Sequence, residues 1–521
     1  MRNASPALGY RTRCGEYSRP VLILALALPF SLSACGAAPP SRQTGDTASL
    51  PTLGSGTPPK RTIASTHDWP QFGWDVGKSS VSPDPTGITA ANISTLQRQQ
   101  VQLDGTVDAS PIYLHGVSVR GGTHDVFFVT TTYGKTLAVD AGNGAILWRF
   151  TPAGYDGWAG SRRITNSTPA ADPNRQFIYA ASPDGHVQKL AVADGHSVWS
   201  TAITKLAERE KIASPLTYFH GKIIAVTGGY IGDAPPYQGH VAILDAASGR
   251  LLHVWNSLCS DRLELLDPSS CAESGSAIWG RAGAVVDASS GDIFVATGNA
   301  KWDGRTNWGD AVIAIDSTAT KIVDNYTPTN TNELSDRDAD VGSTSPVLLG
   351  GGYIAQGGKD GSIKVIEFGH TRAATARRGG EVQSVSSPSG TGLYSAQAVV
   401  HTGGATALGG LSVQTSTETW LFAADGGGTA AWVASGGRLQ QKWQNKTGGT
   451  SPVLAGGLLY VFDLRGGLHI YDPFSGRQVA ELESGSGHWN SPIVVDGMIA
   501  LPEGNANRHQ TSGVLNIWRL P

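Results

Sequence analysis

One element recurs along this chain: a small residue, then Ser or Thr, then Pro, directly ahead of an apolar run. It stands at Ala109-Ser110-Pro111, Ser167-Thr168-Pro169, Ala213-Ser214-Pro215, Thr344-Ser345-Pro346, Thr450-Ser451-Pro452 and Asn490-Ser491-Pro492. Degenerate copies near Ala277-Ile278-Trp279 and Ser395-Ala396-Gln397 fill the widest gaps, giving eight units about 40 to 67 residues apart. A second element follows about 25 residues after each start: Gly, then a short apolar strand ending in Asp. Gly134 to Asp140, Gly239 to Asp245, Gly309 to Asp316 and Gly467 to Asp472 are examples. A turn with Gly comes next, then an outer strand carrying Trp148, Trp199, Trp255, Trp443 or Trp518.

Each unit therefore supplies about four antiparallel strands joined by Gly-rich hairpins. One small sheet cannot bury both of its faces, so radial stacking of units must supply the core, with Trp wedged between neighbours. Composition agrees. The 521 residues include 67 Gly and 14 Trp and are only 16% charged, unlike a helical protein. A hydrophobic share of 40% excludes disorder of the whole chain, and a net charge of −3 leaves no cationic footprint for nucleic acid. The last unit, Pro492 to Trp518, has room for three strands only, and Gln97 to Leu103 is expected to supply the fourth, removing the exposed edges. The predicted fold is all-β: one eight-bladed propeller of four-stranded antiparallel blades over residues 68–521, closed by strands from both termini.

The N-terminus reads as a targeting segment. Arg2, Arg11, Arg13 and Arg19 precede the apolar run Val21 to Leu32, which at about a dozen residues is too short to span a bilayer. The run ends in Leu32-Ser33-Ala34-Cys35-Gly36, which resembles a bacterial lipobox. That resemblance implies a signal peptide at 1–34, lipidation of Cys35, and a cell-envelope location on the outer membrane. Residues 35–67, rich in Pro, Gly, Ser and Thr, read as a flexible tether. Cys14 falls in the leader and Cys35 carries lipid. Cys259 and Cys271, in an oxidising compartment, are expected to pair. No Cys-x-x-Cys-His is present, so no haem is expected.

The Asp-x-x-x-Gly signature with Leu or Ala before it and Trp after it, at Leu137 to Trp148 and Leu244 to Trp255, resembles the pyrroloquinoline quinone (PQQ) repeat. The propellers built from it include quinoprotein alcohol dehydrogenases and a lipoprotein of the outer-membrane β-barrel assembly machinery. The opening Asp68-Trp69-Pro70-Gln71-Phe72-Gly73 is similar to the start of the dehydrogenases. The resemblance implies an axial site. Trp279 would be the floor under PQQ, Asn299 would touch calcium and quinone, and Asp338 or Asp340 would be the base. Asp340 would share the metal with Asn299, and Lys359 would contact the quinone oxygens. Two positions depart from the pattern. Adjacent cysteines are absent around Arg162-Arg163-Ile164-Thr165, and Gly228-Gly229-Tyr230-Ile231 offers a phenol where the family has a calcium-binding Glu.

Other constellations fail or read as structural. Asp336, Asp338 and Asp340 match the first positions of an EF-hand loop, but Val341 and Val347 stand where Gly and Glu are needed. Leu206 to Lys211 reads as a short helical excursion with a solvated charged face. Two functions stay open. The first is an envelope binding or scaffold module for a protein or polymer. The alternative is a PQQ-dependent dehydrogenase that oxidises an alcohol or sugar at an Asp base.

Overall fold

The computed structural model describes residues 67–369, 375–402 and 418–521. The leader, Cys35 and nearly all of the tether lie outside the described residues, as do positions 370–374 of the Gly- and Arg-rich stretch within blade 5. Eight four-stranded sheets form, and every strand pair in them is antiparallel. Blade 1 comprises Ile112–Val119, Gly122–Thr130, Thr136–Asp140 and Ile146–Phe150. Blades 2 to 7 span 170–202, 217–256, 285–326, 347–386, 398–445 and 453–482. Blade 8 is built from Ile493–Val495, Met498–Glu503 and Gly513–Arg519, with Gln97–Leu103 as its outer strand. The register of that closure runs from Gln97 opposite Arg519 to Leu103 opposite Gly513.

The repeated residues have local reasons. Asp140 ends the third strand of blade 1, and its Oδ1 accepts the backbone N–H groups of Gly142 and Asn143 at 2.9 and 3.0 Å. Asp245 and Asp472 bind their own turns in the same way, which is the Asx chemistry that makes Asp a hairpin residue. The outer-strand Trp then reaches into the next blade. Trp148 donates its indole N–H to the Val192 carbonyl at 2.8 Å, and its ring lies on Gly195, where a Cβ would come within 2.5 Å. Trp199 on Gly249 and Trp443 on Gly476 repeat the arrangement. Trp518 departs from the expectation: it sits in the third strand of its blade, because the outer place is taken by Gln97–Leu103. The apolar core accordingly lies between blades, as where Ile112, Phe128 and Trp148 pack with Ile178 and Leu190.

Two further expectations are corrected. The degenerate start near Ala277 is displaced, since the first strand of blade 4 begins only at Val285 and the intervening residues fold toward the axis. Leu206 to Lys211 is not a solvated helix. It makes one turn, after which Glu210–Lys211 pairs with Gly228–Gly229 and both charged side chains are buried.

Residues 69–88 form a strap that meets the blades in chain order. Trp69 exchanges backbone hydrogen bonds with Tyr113 of blade 1, and the Pro70 carbonyl accepts from Ala171 of blade 2. Gln71 Oε1 accepts from Tyr218 N of blade 3, and the Val76 carbonyl from Val286 of blade 4. Gly77 lies against Leu348 of blade 5. Ser79, Ser80 and Thr86 then accept from Val399, Leu454 and Gly497 of blades 6, 7 and 8. Each Ser/Thr-Pro motif enters its blade's first strand from the other end. The strap thus closes one face of the ring and leaves the opposite face to the motif-bearing loops.

Candidate functional site

Those loops surround a cavity of about 840 Å³ on the propeller axis. Trp279 lies on the segment leading into blade 4, and Asn299 follows that blade's second strand, Ile293–Ala296. Asp338 and Asp340 come from the connection to blade 5, after the short helix Thr331–Asp336, and Lys359 follows the strand Tyr353–Gly357. All five line the one cavity. Glycine permits the close approach: a Cβ on Gly298 would meet Asp340 Oδ1 at 3.0 Å and the Trp279 indole nitrogen at 3.3 Å.

The blade 4–5 wall is a closed set of charges. Asn299 donates its backbone N–H to Asp340 Oδ1 and its side-chain Nδ2 to Asp338 Oδ1, both at 2.7 Å. Lys359 Nζ bridges the carboxylates, 2.8 Å from Asp338 Oδ1 and 2.6 Å from Asp340 Oδ2, and lies 5.3 Å from the Trp279 ring centroid. Burial raises the Asp340 pKa above the usual carboxylate range even against the attraction of Lys359. Burial also opposes the charge on Lys359, but Asp340 and Asp338 outweigh it and hold its pKa raised. Asp310 lies behind them, and burial together with the Asp340 charge pushes it up to about 8. Asp338 differs from both. Its side chain is 67% exposed, and among the described residues its Oδ2 has no hydrogen-bond partner.

The facing wall, from the segments before blades 1, 2, 3 and 8, was not legible as a site. Asp108 anchors it: its carboxylate accepts from His488 Nδ1 and Trp489 N at 2.7 Å, and from Asn166 Nδ2 and Ala506 N at 3.0 Å. Burial would raise the Asp108 pKa, but His488 and these donors bring it below the ordinary value. Trp489 stacks on Trp279 with centroids 5.9 Å apart. Arg281 is 1% exposed and crosses the axis, donating Nε to the Trp489 carbonyl at 2.9 Å. It rests on Phe72 of the strap, 4.6 Å from the ring centroid. Burial lowers its pKa to about 10 and that of Lys211 to about 8. A signal for this wall was present in the sequence. Asn166 and Trp489, which line the cavity, and Asp108, which braces them, each stand one place before a Ser/Thr-Pro motif.

The residues can be tested against the groups the fold implies. Calcium takes six to eight oxygen ligands. Here Lys359 already lies between the two carboxylates, and Tyr230 turns its hydroxyl to the Ala207 carbonyl at 2.9 Å. Among the described residues no group of three or more His, Cys, Asp or Glu side chains could hold a metal ion. Lys359 thus competes with calcium for Asp340, whereas the buried Asn299 Oδ1 has no partner among the described residues. A flat, carboxylated quinone fits better, because the cavity offers stacked indoles and several cationic side chains. Arg162 to Thr165 supplies no cap of paired sulfurs; Ile164 there packs with Tyr133, Trp158 and Tyr230. Away from the axis, Cys259 and Cys271 are joined in a disulfide, as expected, with Cα atoms 6.1 Å apart.

Residues 95–257 match the PQQ_2 family, described as outer membrane protein assembly factor BamB. With the eight-bladed ring, this defines the class as a β-propeller whose residues 95–257 are similar to that family. Among curated proteins it is 25% identical over 357 residues to a polyvinylalcohol dehydrogenase of Pseudomonas sp., covering 61% of this chain and 53% of that one. It is also 25% identical over 194 residues to quinohemoprotein alcohol dehydrogenase ADH IIB of Pseudomonas putida, covering 35% and 25%. The chain thus spans about half the length of the first relative or less. Quinohemoprotein alcohol dehydrogenase from Comamonas testosteroni shares the fold at TM-score 0.62 and 17% identity, over 88% of this chain and 81% of that one. A europium-containing methanol dehydrogenase does so at 0.62 and 15%, over 87% and 98%.

Proposed function

We propose that this protein is a quinone-dependent dehydrogenase that oxidises an alcohol, held at the cell envelope by a lipid on Cys35. One observation carries the reading: Trp279, Asn299, Asp338, Asp340 and Lys359, from separate loops, meet in a single axial cavity. The matched curated relatives are by name alcohol dehydrogenases, which supports the substrate class. Trp279, Trp489 and Lys359 are the residues that would hold PQQ, which when bound supplies a two-electron acceptor. Asp338 is the base. Its Oδ2, without a hydrogen-bond partner among the described residues, takes the hydroxyl proton, while Asn299 and Lys359 fix the other oxygen. Asp340 has both oxygens engaged and positions Lys359 and Asn299.

Reconstitution of the purified protein with PQQ tests this. A quinone absorbance retained through desalting, with dye reduction driven by aliphatic alcohols, is the expected result. No retained chromophore and no turnover with alcohols or sugars would overturn it. The binding-module reading keeps one specific support, Tyr230 in place of a carboxylate. It would be favoured if envelope crosslinking recovered one protein or polymer partner while reconstitution failed.

A further inference from the structure

Lys211 and Arg281 are 7% and 1% exposed, and both line the axial cavity. Among the described residues neither forms an ion pair within salt-bridge distance. Lys211 Nζ finds only the neutral Asn166 Oδ1 at 3.3 Å, and lies 5.8 Å from the Trp489 ring. Arg281 gives Nε and Nη1 to backbone carbonyls at 2.9 and 3.5 Å, and its buried Nη2 has no partner. The charged groups around them are Asp108, Asp233 and His488. Asp108 is committed to His488, Asn166 and two backbone N–H groups, and Asp233 accepts from Tyr237 at 3.1 Å. Buried cations without a counter-charge are costly, and a fold that keeps two of them beside a cavity is arranged for an anion that comes from outside.

The flanking surface says what kind of anion. Trp489 and Trp279 line the cavity beside the two cations and stack on each other, and Asn166 adds an amide. A guanidinium beside an ammonium suits a carboxylate, which can accept from both. We propose that Lys211, Arg281 and Asn166 form a carboxylate-binding corner for a planar ligand that lies against Trp489. The carboxylate belongs either to the cofactor or to the substrate.

Benzene-1,3-dicarboxylate and its neutral diamide are the probes, titrated into the full-length protein with tryptophan fluorescence and thermal unfolding as readouts. The dicarboxylate should quench and stabilise, and should bind at least tenfold tighter than the diamide. Lys211→Met should remove that preference and Lys211→Arg should keep it. Added PQQ assigns the source: displacement of the dicarboxylate means that the corner serves the cofactor, and simultaneous binding means that it serves the substrate. Equal binding of dicarboxylate and diamide, or a preference untouched in Lys211→Met, overturns the proposal. The comparison of the two probes needs no variant and no turnover, so its failure leaves the dehydrogenase reading standing.

Discussion

The two walls of the axial cavity each carry buried or half-buried cations and treat them in opposite ways. Lys359 is bonded to two carboxylates, and Asn299 bonds both of those carboxylates in turn. Among the described residues Lys211 and Arg281 have no carboxylate within salt-bridge distance, and their hydrogen bonds go only to amide and carbonyl oxygens. The first wall balances its cation internally and can hold a base at a fixed place. The second carries charge that only a ligand can answer. Electrostatic completeness separates a wall built for chemistry from one built for recognition.

Substitutions can break this contrast at several points. Asp338→Asn should have the largest effect, lowering dye-linked alcohol oxidation by about 10²–10⁴-fold, the usual contribution of a general base. Because Asp338 is largely exposed, thermal unfolding should move little. A variant that loses stability but keeps turnover would give the base role to another group. Lys359→Met strips the counter-charge from Asp340 and should cost on the order of 3 kcal/mol in denaturant unfolding at neutral pH. Part of that loss should return in acid, where Asp340 takes up a proton.

Lys211→Met should go the other way. Removing a buried ammonium without a carboxylate partner is expected to leave stability unchanged or raise it by about 1 kcal/mol. The sign with pH follows from the Lys211 pKa of about 8, lowered by burial from 10.5. Between those values the unfolded chain binds more protons than the folded one, so wild-type stability rises with pH there. The advantage of Lys211→Met should therefore shrink as pH climbs from 8 to 10. An advantage constant over that range would show that Lys211 keeps an ordinary pKa. Tyr230→Phe is the smallest change. It deletes the bond to the Ala207 carbonyl and should cost about 1 kcal/mol, with no effect on quinone retention.

Much of this was legible from residue patterns. The Ser/Thr-Pro motifs marked first strands, Asp and Gly marked the third hairpin, and the short last unit pointed to Gln97–Leu103 as its missing strand. The blade 4–5 wall was legible because its residues sit in recognisable motifs. The facing wall was not. Glu208 to Lys211 looks locally like a charged helix surface, and only pairing with the distant Gly228–Gly229 turns Lys211 inward. Arg281 carries no motif, and its role depends on a reach across the axis to Trp489, 208 positions away. Such placements are set by nonlocal packing, which overrides local propensity.

The strap also acts as a gauge. Its backbone and side-chain contacts are laid out one blade at a time, from Tyr113 to Gly497, so its length and the blade number are matched to each other. A ring with one blade deleted would leave a strap group without its partner and shift every later contact out of phase. The same segment leads into the outer strand of the final blade, whose partner Gly513–Arg519 is made last. Gln97–Leu103 therefore gains its partner only when Gly513–Arg519 is in place, and the segment that measures the circle also leads into its closure.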